Sequence, residues 1–234
     1  MSGHKYLVLN RTIGAALMLA GALVAGAAQA DTASYSQWQG WVNSNGNGPE
    51  LDKLSNMYTG AQDGALFNSY AAFTIPAGSY GSVTLKLNPM SFGDMGPVQI
   101  GLYDVSTPID GFLNTVKFGA GVYNDLGSGH QYATATLGDD AVSVTFNAAG
   151  LADVNAAAGS GKLFFIGFTN LTLDANGLGT DAFAGVYING LDRSRPPMEM
   201  DLGPALPVPE PSAWATLLAG LTLIGAMALR RRQA

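Results

Sequence analysis

Cysteine is absent from the 234 residues, and histidine occurs twice. Without cysteine there are no disulfides, no thiolate nucleophile and no Cys/His zinc site, so the core has to hold by packing alone. Charge is scarce too: only 12% of residues are Asp, Glu, Lys or Arg. What charge there is divides unevenly. Lys5, Arg11, Arg230, Arg231 and Arg232 sit near the two ends, and every acid except Glu210 lies between Asp31 and Asp201. The central region keeps Lys53, Lys86, Lys117, Lys162, Arg193 and Arg195 as its cations. That acidic body excludes nucleic acid as a natural partner. It is compatible with a solvated surface, divalent cations or neutral polymers such as glycans. Thirty-one glycines, with many small polar residues, point to an exported all-β protein.

The chain opens with His4, Lys5 and Arg11 around an apolar run, Ile13 to Ala28, and then Ala28-Gln29-Ala30. A basic start, an apolar centre and a small-x-small end describe a secretory signal peptide over residues 1–30, cut after Ala30. The Sec translocon and signal peptidase are the partners such a segment requires.

Residues 31–203 read as one domain. Asp31 to Gly64 is polar, punctuated by Asn45-Gly46-Asn47-Gly48-Pro49, with Tyr35, Trp38 and Trp41 close together. Exposed, these rings would form a sugar-stacking platform; buried, they would anchor a first strand or a covering loop. Strand signals follow at Leu66–Ile75, Ser82–Leu87, Pro97–Tyr103, Gln131–Leu137, Ala141–Phe146, Leu163–Phe168, Phe183–Ile188 and Pro197–Leu202. Gln131–Leu137 and Ala141–Phe146 are expected to form a hairpin around Gly138-Asp139-Asp140. The long segment Asp104–Gly129 is expected to hold a helical turn near Ile109–Leu113, and Leu151–Ala158 a brief helix. About eight short strands without interleaved long helices predict an antiparallel β-sandwich with jelly-roll connections.

Residues 204–212 are a proline-rich linker containing Val208-Pro209-Glu210-Pro211. Ala213 to Leu229 is apolar, long enough to span a bilayer, and Arg230-Arg231-Arg232 supplies a basic stop in 213–234. This order resembles the PEP-CTERM sorting signal of Gram-negative bacteria. The resemblance implies export, a transient stay in the inner membrane, recognition by an exosortase, and delivery to the cell surface or extracellular matrix. It further implies an exopolysaccharide and biofilm setting. The body is similar to a recurrent domain of such surface proteins. That similarity rests on Leu102-Tyr103-Asp104-Val105-Ser106-Thr107-Pro108, Tyr123-Asn124-Asp125-Leu126-Gly127-Ser128-Gly129 and Leu163-Phe164-Phe165-Ile166-Gly167-Phe168, and implies a β-sandwich.

Catalytic chemistry has little to work with. His130 is the one histidine left after signal cleavage, and there is no Gly-x-Ser-x-Gly elbow. Gly159-Ser160-Gly161-Lys162 lacks the spacing and the Ser/Thr of a phosphate loop and reads as a turn before a strand. No cofactor is expected and no metal site is assigned. The nearest approach to one is an oxygen-rich loop with Asp174, Asn176 and Asp181, a weak calcium candidate. The expectation is a non-enzymatic surface or matrix protein. The alternatives are a carbohydrate-binding module using Trp38, Trp41 or Tyr123 and, further off, a glycan hydrolase with two facing carboxylates.

Overall fold

A computed structural model describes residues 32–49, 54–92, 97–108, 116–173, 184–188, 197–205 and 216–224. The signal-peptide residues Ala28 and Ala30, the turn at 109–113, the loop with Asp174, Asn176 and Asp181, the motif Val208–Pro211 and Arg230–Arg232 lie outside them.

Among the described residues eleven strands occur: β1 Thr32–Asn43, β2 Tyr58–Gln62, β3 Ala65–Thr74, β4 Tyr80–Leu87, β5 Met90–Phe92, β6 Val98–Asp104, β7 Gln131–Leu137, β8 Val142–Thr145, β9 Leu163–Asn170, β10 Ala184–Tyr187 and β11 Glu199–Pro204. Every strand pairing is antiparallel. One sheet runs β1–β11–β4–β8. The second runs β3–β9–β6–β7, with β2, β10 and β5 extending it beside the first residues of β3. Successive strands cross repeatedly from one sheet to the other, which gives the jelly-roll order that the turn spacing predicts. β1 serves both sheets. Its first four residues pair with β11, and from Ser36 on it pairs with β3, with a bulge between Ser36 and Trp38.

The core lies between the sheets. Val83, Leu85, Leu87, Met200 and Leu202 from the first sheet face Phe73, Ile100, Leu102, Ile166 and Phe168 from the second. Each set is spaced by two, the pattern of a strand with one buried face. Tyr132 stacks between Phe146 and Phe164, with centroids 5.3 and 6.1 Å away. Its hydroxyl is not left unpaired: it donates to Asp153 at 2.8 Å.

Two helices complete the body, α1 Ala120–Asp125 and α2 Ala148–Ala157. The helix expected at Leu151–Ala158 is α2, and it begins earlier because the Asn147 side chain accepts from the Ala149 and Gly150 amides. Gly159 and Gly161 have positive φ in the turn that leads into β9. The expected hairpin of β7 and β8 does not form. β7 pairs with β6, and β8 pairs with β4 in the other sheet. The four-residue step over 138–141 is an arch: it carries the chain from one sheet to the other, and Leu137 and Val144 both lie in the core between them.

β1, β2 and β5 had no hydrophobic alternation to announce them. The inward positions of β1 include Ser34, Ser36 and Gln39, which satisfy their polar atoms internally. Ser34 donates to Thr74 O, Gln39 to Ser55 O, and Ser36 Oγ accepts from Met198 N. Residues 216–224 form a further helix, α3. Among the described residues no helix is long and apolar enough to cross a membrane.

Candidate functional site

The outward face of the first sheet is polar and regular. Register places Tyr35, Glu199, Lys86 and Ser143 in one row across four strands, and Ala33, Asp201, Thr84 and Thr145 in the next. These positions alternate with Ser34, Met200, Leu85 and Val144, which point inward, so the strand period sorts the chemistry to this surface. Lys86 Nζ reaches Glu199 Oε1 at 2.9 Å and Asp201 Oδ2 at 3.0 Å. Hydrogen bonds to Glu199 and then Asp201 push the Lys86 ammonium up to about 12. The adjacent Thr84 and Thr145 hydroxyls lie 3.2 Å apart. A groove of about 280 Å³ opens beside this row, lined by Tyr35, Lys86, Leu87, Asn88, Ala141, Val142, Ser143, Pro197 and Glu199. Tyr35 is 51% exposed at its rim.

The rings singled out by sequence are placed differently. Trp38 pairs with Ala72 and Trp41 with Ser69 in one continuous register, so a spacing of three sends them to opposite faces of the sheet. They therefore cannot make one platform. Trp38 and Tyr123 are half-buried against a second cluster of Val42, Tyr70, Ala72, Val122, Leu126 and Phe165 on the outer face of the second sheet. Trp41 meets Phe67 edge-on at 5.1 Å, and the contacts continue through Tyr58 to Tyr187 at 5.3 and 5.1 Å. Burial raises the Tyr58 and Tyr187 phenols, and the Tyr58 hydroxyl donates to Ala61 O at 2.7 Å.

The three body segments that carry the family resemblance come together over the second sheet. Asp125 accepts from the Ser106 hydroxyl and from the Thr107 amide and hydroxyl, tying α1 to the end of β6. Asp104 accepts from the His130 amide. Asn68 Nδ2 donates to Tyr123 O at 3.0 Å, and Leu126 sits directly over Gly167. This is a clamp that covers β3 and β9, and it accounts for these residues by packing. His130 is exposed in it and takes part through its backbone.

Asp139 and Asp140 occupy the exposed step between β7 and β8. Among the described residues, no group of three His, Asp or Glu side chains is placed to hold a metal ion. No local sequence motif points to the Tyr35–Glu199–Lys86 row. Its signal was present in the alternation of Lys86 with Leu85 and Leu87, and of Glu199 and Asp201 with Met200. Which strands lie side by side, however, is a property of the fold.

No curated protein matches the chain. Residues 207–232 match the family model of the PEP-CTERM protein-sorting motif. That motif implies export, a membrane-anchored intermediate, and exosortase as the processing partner that sorts its carriers to the cell exterior. The jelly-roll sandwich is thus the cargo of a chain whose C-terminus carries a PEP-CTERM sorting signal.

Proposed function

We propose that this is a non-catalytic component of the cell surface or extracellular matrix, carried outward by its C-terminal signal and associated there with exopolysaccharide. The observation that carries this reading is the sorting motif at 207–232 behind a self-contained jelly-roll body. The physical parts support it. Pro209 and Pro211 flank Glu210, and proline restricts a chain toward the extended forms a processing enzyme accepts in a cleft. The apolar 213–229 stretch and Arg230–Arg232 supply retention during processing. The body offers an acidic, polar surface to a hydrated matrix.

Deleting residues 208–234 tests the sorting step. The tail-less protein is expected to be released into the medium or held in the periplasm, and normal arrival at the surface would refute the route. Intact mass of the surface form should show loss of residues 1–30 and of a C-terminal piece near the motif.

A further inference from the structure

We propose that the groove beside Tyr35 on the outer face of the β1–β11–β4–β8 sheet is a binding site for one or two rings of a neutral polysaccharide chain. The inference rests on the matrix reading above and gives it a place on the molecule. Among the described residues, Tyr35 is the one aromatic side chain in the set of most exposed large apolar residues. A single exposed ring needs no explanation; this one stands at the rim of a groove lined by both polar and apolar groups. A pyranose presents an apolar C–H face, which an aromatic ring covers, and a belt of hydroxyls, each both donor and acceptor. The groove supplies the complement. Asn88 and Ser143 can donate and accept. Glu199 spends one acceptor position on Lys86 and keeps others. Pro197 adds an apolar wall.

Lys86 and Glu199 are held in place before any ligand arrives. Lys86 is fixed between two carboxylates, and each row is set by strand register. Such preorganisation removes part of the entropic cost of binding. Charge selects against a polyanion. One ammonium faces two carboxylates, leaving the local balance negative on a body that is itself acidic. The volume of about 280 Å³ is at the lower end for ligand pockets, which suits a segment of a longer chain lying across the sheet.

The test is affinity electrophoresis of the full chain in mild detergent. The gels contain hydroxyethylcellulose, dextran, alginate or the extracted extracellular polysaccharide of the native host. Retardation is expected with the host polysaccharide or a neutral glucan, and weaker retardation with alginate. Tyr35→Ala should weaken binding at least tenfold, Tyr35→Phe should stay within about threefold, and Glu199→Gln should weaken it severalfold. The Tyr35 position is on the surface, so both Tyr35 variants should melt at the wild-type temperature. Wild-type binding that Tyr35→Ala leaves unchanged would remove the groove and leave the matrix reading intact. A preference for alginate would overturn the neutral-chain assignment. No retardation by any glycan, the host's own included, would sink both the groove and the polysaccharide association.

Discussion

Gly167 lies where two layers meet. A Cβ added there would collide with the carbonyl oxygen and Cα of Leu126, both backbone atoms that cannot swing away. The glycine lets the segment after α1 rest on β9 and close the second cluster around Phe165 and Tyr70. Gly167→Ala is therefore expected to destabilise the fold by about 1–3 kcal/mol, the range for overpacking. Gly121, in α1, has nothing within 4 Å of its virtual Cβ. Gly121→Ala should raise stability by about 0.5–1 kcal/mol through the unfolded chain and helix propensity. Urea denaturation of both variants measures the contrast, and equal effects at the two sites would contradict the clamp. Asp125 belongs to the same device. Its carboxylate holds Ser106 and Thr107, so Asp125→Ala should speed amide hydrogen exchange at Val105 and Thr107 while leaving Ile100 and Leu102 protected.

Among the elements, α2 shows how a short helix completes a sheet. Asn155 Oδ1 accepts from the Tyr80 amide at 2.8 Å, and its Nδ2 donates to Tyr80 O at 3.0 Å. The side chain thus imitates a neighbouring strand at the start of β4. Asn155→Ala leaves both Tyr80 backbone groups without these partners and should cost about 1–3 kcal/mol. A melting curve that stays at the wild-type temperature would show that water replaces the amide. Elements of this sort divide what sequence reveals from what it conceals. β4 and β6 were legible because Val83-Leu85-Leu87 and Val98-Ile100-Leu102 alternate with polar residues. α2 was legible from its alanines. β1 was not, because serines and a glutamine fill its inward positions and their hydrogen-bond partners, Thr74, Ser55 and Met198, are far away in sequence. The β7–β8 hairpin was misread for a related reason. A short glycine-led step fits a turn within a sheet as well as an arch between sheets, and only the demand of β4 for a partner decides between them. The groove beside Tyr35 joins residues 35, 86, 143 and 199, a set that no local pattern could assemble.

Over the whole molecule, tyrosines couple the two apolar clusters to pH. Tyr132 stands in the core between the sheets, and Tyr70 in the cluster on the outer face of the second sheet. Burial pushes both phenols up, Tyr70 to about 12, and the hydrogen bond to Asp153 raises Tyr132 further. In the unfolded chain both would titrate near 10. The raised folded values mean that the neutral form is the one the fold holds. Their contribution is complete below pH 10 and is lost as pH climbs toward the folded values, because only the unfolded chain releases the proton in that window. Stability should decline by about 1.4 kcal/mol per pH unit for each such tyrosine between roughly pH 10.5 and 11.5. Tyr132→Phe lowers stability at neutral pH by removing the Asp153 bond, yet it should make the alkaline decline shallower by one proton. Urea midpoints read by far-ultraviolet circular dichroism across that window give both slopes. An equally steep decline in Tyr132→Phe would mean that the Tyr132 phenol is not held neutral by the core. Both clusters share β3 and β9, which contribute Phe73 and Ile166 to one and Ala72 and Phe165 to the other. Loss of either cluster removes the support of the other, so the alkaline transition should be a single cooperative step across the sandwich.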